Sequence, residues 1–269
     1  RDYASVFEPS PDGQLKRALN EDGSRYEATI HLKHDKPVRS PKYTLSPVML
    51  EIVRTGVLEM EALGVVRRQY SPYSANCLPV AKPGTDPVEW RIVTDLRDCN
   101  ENVVDNCYPA PTLFDVHHKL HGMKRFSSID LKKFYWQITL DEASRLCTGF
   151  HVPGLGSFVY EVMPMGIKPS CAIGQSLAED VLREVYDGPG PMHGKPGLGN
   201  FAIVWSDDIL IFDQDTPYHS HYVAWVLKRL KKRNIQASLP KAKFGVERIG
   251  FVGHFLDEKG LHADPAKVK

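Results

Sequence analysis

Phe201-Ala202-Ile203-Val204-Trp205-Ser206-Asp207-Asp208-Ile209-Leu210-Ile211-Phe212 sets two adjacent acids between two apolar runs. Phe201–Trp205 and Ile209–Phe212 are short, apolar and rich in β-branched residues, and the segment between them has turn chemistry. The stretch reads as two strands with carboxylates at the tip. Like charges this close raise each other's pKa unless a cation neutralises them. The simpler reading is that Asp is a common turn former, well suited to hairpins. The stretch alone leaves both readings open.

A second acid closes another short apolar run, Phe126-Ser127-Ser128-Ile129-Asp130-Leu131. Alone, Asp130 reads equally well as the N-cap of a helix over Leu131–Ile138. Taken together, the two motifs fit one chemistry. Two divalent ions about 4 Å apart activate a 3′-hydroxyl and stabilise a leaving pyrophosphate. Magnesium prefers carboxylate and phosphate oxygens to His or Cys. Asp130, Asp207 and Asp208 on adjacent strands would supply the carboxylates.

Working outward, Ser46 and Pro47 mark a helix start, and Leu50, Val53, Val57, Met60 and Leu63 recur at helical spacing up to Gly64. Asn76–Lys82 and Trp90–Asp95 flank the turn cluster Pro83-Gly84-Thr85-Asp86-Pro87 and read as a hairpin. Phe158–Met163 is a further strand candidate. A helix is expected from Ser170 through Ile173, Leu177, Val181 and Val185. Asp187–Asn200 is rich in Gly and Pro and reads as a flexible excursion. Another helix runs through Val223, Val226, Leu227 and Leu230 into the basic run Lys228–Arg233. That run is either a phosphate contact or a solvated helix end. Gly245–Asp257 reads as a final hairpin, and residues 1–40 as an extended lead-in. Helices and strands mix without strict βαβ alternation, which favours an α+β fold.

The 269 residues are 42% hydrophobic and 25% charged, enough for one large domain or two small ones with a proper core. No run approaches the roughly 18 apolar residues of a membrane span. Arg1-Asp2-Tyr3 offers neither an apolar signal region nor an initiator Met, so the chain reads as a piece of a longer product. The 5 cysteines contain no CxxC pair, which argues against a zinc knuckle and for reduced thiols inside a cell. A net charge of +1 means that any nucleic-acid contact must come from locally placed basic residues.

In its ordered motifs the sequence resembles the reverse transcriptases of gypsy-type LTR retrotransposons. Ile129-Asp130-Leu131 through Tyr135-Trp136-Gln137-Ile138 looks like their first polymerase motif. Met163-Pro164-Met165-Gly166-Ile167-Lys168-Pro169-Ser170, continuing to Gln175, resembles the next. Trp205-Ser206-Asp207-Asp208-Ile209-Leu210-Ile211 resembles the Tyr-x-Asp-Asp motif, and Phe251-Val252-Gly253-His254 the primer-grip hairpin. Ser71-Pro72-Tyr73, Trp90-Arg91-Ile92-Val93-Thr94-Asp95 and Tyr108-Pro109-Ala110-Pro111 match the fingers. The motifs run in order from about Thr29 to Lys267.

The resemblance implies a right-hand polymerase fold. An antiparallel palm sheet carries Asp130 on one strand and Asp207-Asp208 on a neighbouring hairpin, with helices behind it. Residues 41–125, with part of 141–162, would be fingers, and 126–240 palm. Residues 241–269 would hold the primer grip and the start of a truncated thumb or connection, the thumb itself being absent. Asp130, Asp207, Asp208 and the Leu131 carbonyl would bind two Mg2+ ions, with Mn2+ as a substitute. Lys82 and Arg91 would approach the triphosphate, where an arginine fork suits paired oxygens, although exposed Lys and Arg are also the surface default. Tyr135 would lie under the incoming sugar, or else be core beside Phe134 and Trp136. Gln175 would sit near nucleotide and template, or else be an exposed helix residue. Trp205, Phe251, Gly253 and His254 would meet primer and template.

The implied reaction is RNA- and DNA-directed DNA synthesis from dNTPs on a primer. The implied setting is a cytoplasmic polyprotein with RNase H and integrase, virus-like particles included, and no membrane contact. Two departures stand out. The family usually has Tyr at Trp205 and Phe at Met165, which puts rate and fidelity in question more than the reaction itself. A non-catalytic nucleic-acid-binding relic is the alternative. A two-metal nuclease ranks below both, because the fingers motifs have no purpose there.

Overall fold

The computed structural model describes residues 2–109 and 111–263. Ala110 of the Tyr108–Pro111 motif and residues 264–269 lie outside the described residues.

The chain opens with α1 (Ala4–Phe7) and the two-residue strand β1 (Glu27–Ala28). α2 (Pro47–Ala62) starts where its cap chemistry predicts. The Ser46 hydroxyl accepts from the Met49 amide, Pro47 occupies the first turn, and Val53, Val57 and Met60 face the core. After β2 (Val66–Arg68) come β3 (Asn76–Ala81) and β4 (Trp90–Asp95), an antiparallel pair in register from Asn76–Asp95 to Ala81–Trp90. α3 (Arg97–Asn102) and α4 (Leu113–Leu120) lead to β5 (Arg125–Asp130), β6 (Thr139–Leu140) and α5 (Glu142–Cys147). β7 (Phe150–Val152) and β8 (Gly156–Tyr160) come next, and β8 pairs with β2, so this stretch returns to the α2–β4 region. The rest is α6 (Ser170–Leu182), β9 (Ala202–Trp205), β10 (Asp208–Asp213), α7 (His219–Lys232), β11 (Lys243–Val246), β12 (Ile249–Phe251), β13 (His254–Asp257) and β14 (Gly260–Ala263).

The central antiparallel sheet has strand order β11-β5-β10-β9. Its two faces are separated by strand alternation. Ile129, Ile209, Ile211, Ala202 and Val204 face the larger core, with Ile173, Leu177 and Val181 of α6 and Val226 and Leu230 of α7. Phe126, Leu210, Phe212 and Ile203 face a smaller cluster with Val116, Leu120, Ile249, Phe251 and Leu256. Asp130 and Asp208 belong by alternation to this second face. Both are half-buried at the end of the strands where β10 meets its turn.

Several local expectations change. Asp130 caps no helix: it ends β5, and only Phe134–Gln137 makes a single 3-10 turn, with Lys133 as its N-cap. β8 stops at Tyr160, short of Met163. α6 stops at Leu182, so Val185 leaves the apolar stripe and is exposed. The Asp187–Asn200 stretch is anchored in the fold. The Tyr186 amide donates to the Lys195 carbonyl at 2.9 Å and the Leu198 amide to the Leu182 carbonyl at 2.8 Å. Buried Tyr186 packs edge-on to Phe201, Tyr222 and Trp225. Gly245 lies in β11 of the central sheet, while β12, β13 and β14 form a separate three-stranded sheet.

The basic run is also reassigned. Arg229 and Arg233 are buried: Arg229 forks onto Glu21 at 3.0 and 2.5 Å, and Arg233 reaches Asp180 at 2.8 Å. Lys232 pairs with Glu21 and Lys228 with Asp187. Glu21 thereby ties the N-terminal segment to α7, while Lys228, Lys231 and Lys232 stay exposed and form the solvated helix end. The same segment contributes Val6, Leu15, Ala18, Ala28 and Ile30 to the main core, so residues 1–40 pack as part of the body.

Candidate active site

The acids are placed by strand register. Asp208 of β10 is the direct cross-strand partner of Asp130 of β5, and Trp205 of β9 is the partner of Asp208 on the other side. Directly opposed residues in antiparallel strands have Cβ atoms about 5 Å apart on one face. Ser206 and Asp207 form the two-residue turn. Ser206 has φ of +59°, a backbone that suits the first central position of a type II′ turn, where strand twist is matched. The Leu131 amide donates to the Asp207 carbonyl at 2.8 Å, which ties the turn to the end of β5. The Leu131 carbonyl accepts no hydrogen bond among the described residues.

The turn is gripped from behind. Gln175 of α6 is buried; its Oε1 accepts from the Ser206 amide at 2.9 Å and its Nε2 donates to the Val204 carbonyl at 3.0 Å. Gln175 therefore holds the acid-bearing hairpin, and its amide is not turned towards a nucleotide or exposed to solvent. The Tyr135 hydroxyl lies 3.0 Å from Ser206 Oγ. Its ring lies against Gly174, where an added Cβ would stand 2.9 Å from the ring. Burial, above all, pushes the Tyr135 phenol up to about 12. Phe134 is core and Trp136 is partly buried, so of the three adjacent aromatics only Tyr135 reaches the turn.

The electrostatics favour a cation. Burial first, then the charges of Asp207 and Asp130, raise the Asp208 carboxyl to about 6. Lys241, from a short 3-10 turn before β11, places its Nζ 3.0 Å from Asp130 Oδ2. Its charge also acts on Asp208, whose carboxyl it pulls down against the burial and the neighbouring acids. An ammonium ion thus stands where the acids call for positive charge. Nothing in the sequence marked it, since Lys241 and Asp130 are 111 positions apart. Among the described residues, no three His, Cys, Asp or Glu side chains converge tightly enough to hold an ion by themselves. Magnesium does not need such a cage: it takes one or two carboxylates, keeps waters and accepts substrate phosphates. An oxygen-only set of paired carboxylates with a free carbonyl fits that habit.

The predicted nucleotide cations line a cleft whose walls include none of the three acids. Lys82 and Arg91, on either side of the β3–β4 hairpin, line a cleft of about 1020 Å³ with Lys133, Trp136 and α2. Lys82 is paired with Glu89 at 2.7 Å and Arg91 is exposed. The 3-10 turn after Leu131 joins the two regions, since it carries both Lys133 and Tyr135. Trp205 is half-buried against the smaller cluster. Phe251 lies in that cluster, 4% exposed, so its side chain is committed to the core and cannot contact a primer. Val252 and Gly253 form the β12–β13 turn with φ of +48° and +72°, and Gly253 is exposed. His254 is half-buried, its Nδ1 2.9 Å from the Val252 carbonyl.

A family profile described as "Reverse transcriptase (RNA-dependent DNA polymerase)" matches residues 80–256, a span that takes in the end of β3, all of β4, all three acids and the β12–β13 turn. The chain belongs to the reverse transcriptase family. The Pol polyprotein of the transposon gypsy of Drosophila melanogaster is 31% identical over 245 residues, 90% of this chain and 22% of that protein. The enzymatic polyprotein of Cauliflower mosaic virus (strain D/H) is 29% identical over 88% of this chain and 33% of that protein. This reverse transcriptase chain therefore spans between 22% and 33% of the length of these relatives. The foamy viral protease-reverse transcriptase, solved with an RNA/DNA hybrid, superposes with a TM-score of 0.80 over 98% of this chain and 33% of that one at 20% identity, which establishes the polymerase-type fold.

Proposed function

We propose that this chain supports RNA- and DNA-directed DNA synthesis by two-metal nucleotidyl transfer. The observation that carries the proposal is the register pair Asp130–Asp208, with Asp207 in the adjoining turn. The primer 3′-oxygen attacks the α-phosphorus of a dNTP, the new O–P bond forms, and the bond to pyrophosphate breaks. Asp130, Asp207, Asp208 and the Leu131 carbonyl would hold two Mg2+ ions, or Mn2+, which would lower the pKa of the 3′-hydroxyl and neutralise the leaving group. Tyr135 supports the sugar, and its tie to Ser206 couples sugar position to the acids. Lys82 and Arg91 meet the triphosphate, while Trp205 and the exposed Gly253 turn with His254 face primer and template. Positioning and charge neutralisation supply the rate.

The substrates are a primed RNA or DNA template and dNTPs. The Pol polyprotein relatives support a place in a larger polyprotein; RNase H and integrase partners and a cytoplasmic setting that includes virus-like particles belong to the same proposal. No helix among the described residues is long and apolar enough to cross a membrane. We assign 41–125 with part of 141–162 to fingers, 126–240 to palm and 241–269 to the primer grip and the start of a thumb or connection. The pairing of β8 with β2 supports the returning piece.

Primer extension on RNA and DNA templates, with magnesium against EDTA, tests the proposal. Wild-type chain should extend only with metal, and Asp207→Asn should bind primer–template but incorporate nothing. Equal extension by that variant removes the assignment. Template cleavage without dNTPs would favour a nuclease instead.

A further inference from the structure

Lys133 occupies a backbone position that its residue type rarely adopts. Its φ is +47°, in the left-handed region, between the end of β5 and the turn that carries Tyr135. Such outliers gather at functional sites, where surrounding structure enforces them. The side chain has an unusual rest as well. Its Nζ lies 5.0 Å from the Trp136 ring centroid, so an aromatic face holds the ammonium. Among the described residues neither Lys133 nor Arg91 is in an ion pair, whereas Lys82 is held by Glu89. Lys82, Arg91 and Lys133 line the same cleft of about 1020 Å³. Glu51 and Glu59 of α2 also line it. Unpaired cations in a cleft with low-dielectric walls focus their field on an anion.

Resting on the polymerase reading above, we propose that Lys133 is a third contact to the nucleotide triphosphate, donating from Nζ to a β- or γ-phosphate oxygen alongside Lys82 and Arg91. The cation–π rest on Trp136 keeps the ammonium ready without a carboxylate to be displaced. A lysine suits the role because its compact charge and three donors follow phosphate oxygens through rotation. The strained backbone explains why a long basic side chain can leave the strand direction of Asp130 and enter the cleft.

The test compares wild type, Lys133→Asn and Lys133→Arg. Asparagine tolerates the left-handed backbone, so the neutral variant keeps its fold. Binding of inorganic tripolyphosphate with magnesium is measured by calorimetry, and the dNTP KM and kcat by primer extension. Lys133→Asn should weaken tripolyphosphate binding and raise KM by about tenfold, the scale of one charge-assisted hydrogen bond. kcat should move less than KM, and Lys133→Arg should recover most of the loss. Equal tripolyphosphate binding by wild type and Lys133→Asn overturns the proposal even if the chain polymerises. So does a wild type that binds no tripolyphosphate. If wild type extends no primer yet binds tripolyphosphate through Lys133, the polymerase reading fails and the anion contact stands.

Discussion

Gln175 holds Ser206 in place: its buried Oε1 accepts the Ser206 amide at 2.9 Å while its Nε2 donates to the Val204 carbonyl at 3.0 Å. One side chain thereby satisfies a backbone donor and a backbone acceptor on both sides of Trp205. The turn that presents Asp207 is set from α6, behind the sheet, rather than by its own sequence alone.

Gln175→Leu keeps the volume and removes both bonds, leaving the buried Val204 carbonyl and the half-buried Ser206 amide without this partner. The expected cost is about 1–3 kcal/mol in chemical denaturation. A shift of the acids by an ångström costs on the order of 100-fold in rate, so primer extension should fall by about that factor. A variant that loses stability but extends at the wild-type rate would show that the grip is structural only.

Asp208 gives a prediction with a defined sign. Its folded carboxyl is raised from the usual 3.8 to about 6, first by burial and then by Asp207 and Asp130. The folded state therefore binds the proton more tightly than the unfolded chain. Stability is favoured below the unfolded value and lost as pH rises through the folded one. In metal-free protein, Asp208→Asn should be more stable than wild type at pH 7. Solvent reaches part of the carboxyl and screens it, which holds the difference to about 1–2 kcal/mol. The difference should shrink through the window from about 6 to 3.8 and vanish below it. Added magnesium should stabilise wild type and leave Asp208→Asn unmoved. Thermal melts across pH, with and without magnesium, read both effects.

How much of this was legible in the sequence depends on the range of the interaction. β9 and β10, with their two acids, were readable because apolar runs and turn residues are local signals. The α2 start was readable from Ser46 and Pro47 for the same reason. Register was not: nothing local says that Asp208 faces Asp130. Composition alone also misjudged charged and polar residues that the fold buries. Arg229 and Arg233 read as a basic surface until Glu21, more than 200 positions away, proved to be their partner. Gln175 read as a nucleotide contact or an exposed helix residue because helical periodicity cannot see the hairpin behind it. Phe251 sits in a motif resembling the primer grip, yet its side chain fills the smaller cluster. Strand alternation around Gly253 turns backbone, rather than that ring, towards solvent.

Glu21 is a fastening point and should behave as one. Its hydrogen bond to Arg229, above all, lowers its carboxyl to about 2 from the usual 4.5, with Lys232 assisting. The linkage runs opposite to that of Asp208: this stability is present above the unfolded value and disappears as pH falls from about 4.5 to about 2. Glu21→Ala leaves Arg229 without its carboxylate and Arg233 with Asp180 alone. Breaking a buried pair costs about 3–5 kcal/mol, but Glu21 is 39% exposed, and solvent screening reduces the expected loss to about 1–2 kcal/mol. Urea denaturation at pH 7 and pH 3 should show the variant losing less than wild type on acidification.

Ser127, His219 and Asp213 form a chain that resembles a hydrolase triad in its bonding. His219 Nε2 lies 2.7 Å from Ser127 Oγ and its Nδ1 lies 2.9 Å from Asp213 Oδ2. The Gly245 amide donates to Ser127 Oγ at 2.9 Å, so the hydroxyl is held from β11 as well as from His219. All three side chains are buried, which closes the hydroxyl to any substrate. The network instead braces β5, β10, β11 and the start of α7 behind Asp130 and Asp208. His219→Ala removes the middle of the network and strands Asp213, which should cost about 2–3 kcal/mol. Ser127→Ala, which leaves His219 bound to Asp213, should cost about 1 kcal/mol. The double variant should lose less than the sum of the two, because both act on one network. An acylating serine probe should label neither wild type nor variants. Labelling of Ser127, or additive losses, would mean that the site opens or that its members act independently.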